Sequence, residues 1–290
     1  MPRRIPSRAQ LVKAPHSQEE RRLIAGSSAV TAAPEVPSIR GVIYVVRFLL
    51  VAVYTVVCGT AACLASPFDR EGRALVWVAR RWVAWILTTC RIEVRVDGQG
   101  SIPLGRPCVY MSNHQSVIDV TAIVATLPVH WKFVAKRELT WVPFFGWALA
   151  LSRQVIVDRR DRASSVTSLA RAAERVRAGA SVIIFPEGTR SPDGALRAFK
   201  SGGFHLAIQA GVPIVPVTVS GSRAIAPPGS LRIESGRVLV RYGEPIPTEG
   251  LRVEDRGELK RRVQEAIEKG YDPALQAAQP PRGTNRPRTR

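Results

Sequence analysis

The 290-residue sequence lacks or is short of several groups on which whole function classes depend. It has four cysteines, Cys58, Cys63, Cys90 and Cys108, with no CxxC spacing and two of them inside an apolar run. That argues for free buried thiols in a reducing compartment rather than disulfides or a zinc site. No His, Cys and Asp cluster has metal-ligand spacing, so no metal is expected, and His16, His130 and His205 stand alone. Gly-x-Ser-x-Gly is missing, and with it the expectation of a serine acyl-enzyme. No apolar core lies close to the amino terminus, so residues 1–38 are expected to be a basic, largely disordered arm and not a cleaved signal. There is no internal repeat. Acidic residues are scarce: 23 Asp and Glu against 42 Lys and Arg give a formal net charge of +19, which calls for an anionic partner.

What the chain does have begins with an uncharged run over 48–66, extended upstream across Arg47 by the apolar residues 41–46. As a helix the uncharged part would be about 28 Å long, close to the roughly 30 Å hydrocarbon core of a bilayer. It reads as a membrane helix or as a buried core helix. Over 73–87, Leu75, Val78, Trp82, Trp85 and Ile86 share a helical face, with Arg73 and Arg80 on another. Such a helix suits the headgroup layer, or packs on a domain. Basic residues flank the apolar run on both sides, Arg40 before it and Arg70, Arg73, Arg80 and Arg81 after it. The positive-inside rule then favours a monotopic or re-entrant anchor over 39–90, at the cytoplasmic face of the membrane. An anionic leaflet explains basic tails and flanks more simply than nucleic acid does, so no nucleic-acid partner is expected.

From 91 to 270 short apolar runs alternate with amphipathic segments. Residues 92–96, 109–111, 132–135, 154–157, 181–185, 214–219 and 238–242 read as strands, and 164–178, 202–210 and 253–269 as helices. This is an α/β domain with a mixed, mostly buried sheet flanked by helices. Residues 271–290 form a Pro/Arg tail, expected to be disordered.

Four blocks within the domain carry chemistry. In the first, His114 and Asp119 stand five residues apart after a short strand. Inside one helix they would lie roughly 140° apart, so His114 is expected just before the helix and Asp119 in its second turn. A carboxylate fixes an imidazole's tautomer, which makes the pair a candidate base, although the histidine of a lone His-x4-Asp can equally cap a helix. The second block runs Lys136-Arg137-Glu138-Leu139, Trp141-Val142-Pro143-Phe144-Phe145-Gly146, then Val155-Ile156-Val157-Asp158-Arg159. Arg159 follows a strand, where its planar fork suits a phosphate. The third, Phe185-Pro186-Glu187-Gly188-Thr189-Arg190-Ser191, follows another strand: Gly188 lets backbone approach a ligand, Arg190 offers a second phosphate clamp, and Glu187 can accept from a polyol. Lys200 precedes a glycine-rich helix start suited to an anion. The fourth, Gly211-Val212-Pro213-Ile214-Val215-Pro216-Val217, is expected at a sheet edge or a bulge because of its two prolines.

In this order and spacing the four blocks resemble the glycerolipid acyltransferase family, in particular the 1-acyl-sn-glycerol-3-phosphate acyltransferases. The resemblance covers roughly residues 105–245. It implies a glycerol-3-phosphate acyltransferase-like α/β domain behind a short helical membrane anchor. It also implies His114 as general base, Asp119 as its partner, and an acceptor site of Arg159, Glu187, Gly188 and Arg190, with Lys136 and Lys200 as further phosphate candidates. The implied reaction needs no cofactor. It moves an acyl group from acyl-CoA or acyl carrier protein to the sn-2 hydroxyl of lysophosphatidic acid, giving phosphatidic acid. Another lyso-lipid acceptor, or a basic membrane-surface protein without catalysis, would use much of the same sequence. Val117, Ile118 and Arg153 depart from the family pattern around the first and second blocks.

Overall fold

The computed structural model describes residues 39–69, 72–152, 154–158 and 162–277. By internal contacts the chain divides into Met1–Val42 and Ile43–Arg290. Of the first unit only residues 39–42, the opening of a helix, are described.

Among the described residues, helices α1 (Ile39–Ala65) and α2 (Arg73–Cys90) come first. Helix α1 is long and apolar enough to cross a membrane, with a mean hydropathy of 2.2, and only Cys58, Gly59 and Ala62 of it are buried. Arg47 lies inside this helix, and its guanidinium donates to Ile233 O and Ser235 Oγ at 2.7 and 2.8 Å. Tyr44 OH donates to Glu234 at 2.5 Å. The two helices form a hairpin closed by Trp82 Nε1 on Thr55 Oγ1 at 3.1 Å and by Tyr54 OH with Thr89 at 3.0 Å. The face that α2 buries overlaps the expected one: Val78 and Ile86 are buried and Leu75 and Trp82 pack against buried residues, but Val76, Val83 and Cys90 point inward as well and Trp85 is exposed. Arg80 turns into the domain and donates to Leu127 O at 2.7 Å, satisfying a carbonyl at the end of a neighbouring helix.

Among the described residues seven strands follow, at the seven places expected: β1 (Ile92–Asp97), β2 (Val109–Ser112), β3 (Trp131–Lys136), β4 (Val155–Val157), β5 (Ser181–Ile184), β6 (Ile214–Ser220) and β7 (Gly236–Tyr242). Their order is β1-β7-β6-β2-β5-β3-β4. Strands β6, β2, β5, β3 and β4 are parallel; β7 pairs antiparallel to β6, and β1 parallel to β7. Successive side chains of β2 go to opposite cores, Cys108 and Tyr110 to one, Val109 and Met111 to the other. The first core is covered by α2 and α3 (Val117–Thr126). The second is covered by α5 (Arg162–Arg177), α6 (Gly202–Ala210) and α8 (Arg256–Gly270). Both faces being covered, β2, β5 and β6 are buried throughout.

The sheet corrects the expectation for the fourth block. Strand β6 is interior, and β1 and β4 are the edges. Pro216 is tolerated because its carbonyl, and therefore its missing N–H, faces β7 beyond the last ladder pair, where Gly243 N donates to Pro216 O at 2.8 Å. Pro213 precedes the strand.

All four cysteines are free, and burial pushes the Cys90 and Cys108 thiols above their ordinary range. Tyr271–Ala277, assigned above to the tail, packs on the domain: Asp272 N donates to Ser220 Oγ at 3.0 Å, and Ala274–Ala277 form a helical turn. The rest of the expected tail, and the arm at 1–38, lie outside the described residues.

Candidate active site

The parallel strands end at one edge of the sheet, where open α/β sheets place their chemistry. Strand β2 stops at Ser112 and α3 starts at Val117. Ser116, extended at φ −152° and ψ 163°, accepts from Ile118 N at 3.1 Å, while Asp119 reaches back to Ser116 N at 2.8 Å. This reciprocal cap fixes the start of the helix. Asp119 therefore occupies the first turn, not the second, and His114 precedes the helix as expected.

Asp119 is fully buried. Its Oδ2 accepts from Gln115 N at 2.6 Å, Ser116 N at 2.8 Å and His114 Nδ1 at 2.9 Å, and its Oδ1 accepts from Ser222 Oγ. Burial of a carboxylate without such donors would cost several kcal/mol. Because the carboxylate can only accept, Nδ1 carries the imidazole proton and Nε2 presents a lone pair. Among the described residues Nε2 has no hydrogen-bond partner, and the side chain is 18% exposed. The ring stacks on Phe185 with centroids 4.1 Å apart. Asn113 holds the same corner to β6, its amide donating to Val219 O at 2.9 Å and accepting from Val219 N at 2.8 Å.

Glu187, expected from sequence to accept from a polyol, also accepts from two backbone amides. It is 3% exposed, and its two oxygens accept from His114 N at 2.6 Å and Arg197 N at 3.2 Å, so it braces the loop that carries His114. Burial pushes its carboxyl up to about 7, the two backbone amides pull it down, and Asp119 adds to the rise.

The same turn approaches His114 directly, since Ser191 N donates to His114 O at 2.7 Å. Half-buried Arg190 is therefore beside the histidine's loop. Gly188 has φ +75°, and a Cβ there would lie 2.9 Å from Lys200 Cε and 3.0 Å from its Nζ. The glycine makes room for the lysine, so Gly188, Arg190 and Lys200 are gathered at one turn. Lys136 ends β3, two strands from β2, which is roughly 10 Å across the sheet. Its ammonium pairs with Glu138 at 2.9 Å. Arg159 and Arg153 lie outside the described residues.

Two side chains at the site were not singled out from sequence. Ser222 follows β6 and reaches Asp119 across 103 positions, and the signal for it was the Gly221-Ser222 turn directly after a buried strand. Phe185 follows β5 in the same way.

An apolar cavity of about 110 Å³ lies between the helical hairpin, α3, β3 and α4 (Phe145–Leu151), with Cys58, Leu75, Trp82, Val124, Phe133 and Phe145 among its walls.

A histidine with its tautomer fixed, at the carboxyl edge of a mostly parallel sheet, is an arrangement for taking a proton from a hydroxyl. A family model described as acyltransferase matches residues 93–220. The chain is 32% identical over 245 residues to the 1-acyl-sn-glycerol-3-phosphate acyltransferase of Saccharomyces cerevisiae, covering 80% of each chain. It belongs to the acyltransferase family. Within that family it is similar to the 1-acyl-sn-glycerol-3-phosphate acyltransferase alpha of Ovis aries, 38% identical over 177 residues, 61% of this chain and 62% of that one. It is also similar to the chloroplastic 1-acyl-sn-glycerol-3-phosphate acyltransferase BAT2 of Brassica napus, 40% identical over 182 residues, 62% of this chain and 52% of that one. The chain thus spans 62% and 52% of the lengths of these two relatives. The crystal structure of the 1-acyl-sn-glycerophosphate acyltransferase PlsC from Thermotoga maritima superposes with a TM-score of 0.68 at 27% identity, over 80% of this chain and 95% of that one.

Proposed function

We propose that the protein transfers an acyl group from an acyl thioester, acyl-CoA or acyl carrier protein, to the sn-2 hydroxyl of lysophosphatidic acid, giving phosphatidic acid. The observation that carries this is the His114 imidazole, protonated at Nδ1 against buried Asp119 and open at Nε2. His114 Nε2 takes the hydroxyl proton as the oxygen attacks the thioester carbonyl. The tetrahedral oxyanion collapses, the C–S bond breaks, and the leaving thiolate takes the proton from His114. Asp119 steadies the imidazolium in between.

Arg190 and Lys200, the lysine packed against Gly188, offer the acceptor phosphate two positive groups on the turn whose Ser191 N–H meets His114 O, and Arg159 and Lys136 are assigned to the same anion from the family resemblance. The apolar cavity is chemically suited to a hydrocarbon tail. Helix α1 and α2 hold the protein on the cytoplasmic face of the membrane. Their attachment supports a monotopic anchor, because Tyr44, Arg47, Tyr54 and Thr55 tie α1 to α2 and to residues 233–235 along its length.

The test is acyl transfer by the purified protein from a long-chain acyl-CoA to lysophosphatidic acid, beside lysophosphatidylcholine and an ornithine lyso-lipid, with His114→Ala as the blank. His114-dependent phosphatidic acid is the expected product. Transfer to a different lyso-lipid alone would reject the acceptor and keep the chemistry. Inactivity with every acceptor and with both donor types would reject the reading.

A further inference from the structure

Four of the six tryptophans are exposed: Trp77 by 61%, Trp85 by 42%, Trp141 by 71% and Trp147 by 50%. Two of them belong to α2. The other two lie in the segment 137–151, outside the helical hairpin, where Val142 and Leu151 are exposed as well. Large apolar groups clustered at a surface mark an interaction site.

The segment is fastened to the hairpin. Gly59 of α1 faces Phe144 so closely that a Cβ would stand 2.8 Å from Phe144 Cβ and 2.9 Å from its carbonyl carbon and oxygen. The Phe145 ring lies 5.8 Å from that of Trp82. Phe144 itself is held at φ 61° and ψ −58°, with Phe145 N donating to Pro143 O at 2.7 Å. A γ-turn of this hand is strained for any residue with a Cβ and persists only where packing dictates it. Trp141 and Trp147 stand exposed on the segment so fastened, and the outer face of α1, with Val46, Val53 and Val57, is exposed as well.

We propose that residues 137–151 form a second membrane contact, with Trp141, Val142, Trp147 and Leu151 entering the interfacial layer of an anionic phospholipid leaflet continuous with that met by α1 and α2. The contact presupposes the membrane anchor proposed above. A leaflet fits the surface better than a protein partner on three grounds. Tryptophan prefers the headgroup depth. The Arg81 guanidinium lies 5.5 Å over the exposed Trp77 ring, the pairing of cation and indole that suits that depth. The chain carries a net charge of +19, complementary to anionic lipid. Because β3 ends at Lys136, the contact begins one residue past the sheet edge that carries His114.

The test uses the full chain with Cys63→Ala, leaving the three buried cysteines unlabelled, and an environment-sensitive fluorophore on a cysteine placed singly at Trp141, Trp147, Val53 of α1 or Arg262 of α8. Vesicles of phosphatidylcholine with phosphatidylglycerol are added, with and without spin-labelled lipid. A blue shift and lipid quenching at 141 and 147, matching 53 and missing at 262, are the expected result. A response at 53 with none at 141 or 147 would overturn this contact and leave the anchor standing. Silence at all three would overturn both. In unlabelled protein, Trp141→Ser with Trp147→Ser should weaken vesicle partitioning by roughly tenfold or more, since interfacial binding scales with buried apolar area. Unchanged partitioning would also count against the contact.

Discussion

Ser222 Oγ donates to Oδ1 of Asp119, the carboxylate oxygen that His114 does not use. The hydroxyl therefore orients the carboxylate that orients His114, the proposed base. Loss of one hydrogen bond to a buried carboxylate is worth about 1–3 kcal/mol, so Ser222→Ala should lower kcat on the order of tenfold. KM for the acceptor should stay unchanged, and Ser222→Thr, which keeps the hydroxyl, should restore most of the rate. Steady-state kinetics of the two variants checks this; an equal loss in both would point to a packing defect instead.

His114→Ala should reduce turnover by roughly 10²–10⁴-fold, the usual worth of a positioned general base. Its melting temperature should fall as well, because buried Asp119 loses the Nδ1–H donor, a loss worth about 1–3 kcal/mol. Single-turnover rates beside a thermal melt separate the two effects.

Glu187 predicts a pH dependence of stability. Its carboxyl titrates at about 7 in the folded protein against an ordinary 4.5. The folded state thus holds this proton more tightly than the unfolded chain. The corresponding stability is fully present below about pH 4.5 and is lost as pH rises through about 7. Thermal melts across that window should show this fall. Glu187→Gln should flatten this component of the slope. It should also destabilise the fold by about 1–3 kcal/mol, because one amide of the pair His114 N and Arg197 N loses its acceptor.

Gly59→Ala should force α1 away from Phe144, since the new methyl would meet main-chain atoms that cannot swing aside. Overpacking of this kind costs about 1–3 kcal/mol. Faster proteolysis of the hairpin and a lower melting temperature are the readouts. Gly100→Ala, where a Cβ meets nothing within 4 Å, is the control.

Much of this fold was legible because its strands are short apolar runs bounded by turn residues, a pattern that survives without tertiary information. The His114 corner was legible for the same reason: one strand, one loop residue, then a histidine. The misreadings have a common physical origin. Which way Pro216 points its missing N–H depends on the direction of β7, which no local pattern encodes. That Glu187 also accepts from two backbone amides depends on where residues 114 and 197 come to rest, which no local pattern encodes either. The inward turn of Arg80 likewise depends on a carbonyl 47 residues away. Periodicity reports which face of an element is apolar and says nothing of the partner that a polar side chain finds.

The single antiparallel step between β6 and β7 has a kinetic consequence. Reversal there brings the starts of β7 and β1 to the edge where the parallel strands end, so the junction of α2 with β1 and the residues 233–235 that hold Tyr44 and Arg47 share the edge of His114. Under the function and membrane anchor proposed above, attachment and opening face the same way, and the enzyme samples its lipid in two dimensions. Its rate should follow the mole fraction of acceptor in the bilayer, falling when inert phospholipid is added at constant bulk acceptor concentration. Surface dilution, rather than dilution of the solution, is then the variable that governs its turnover.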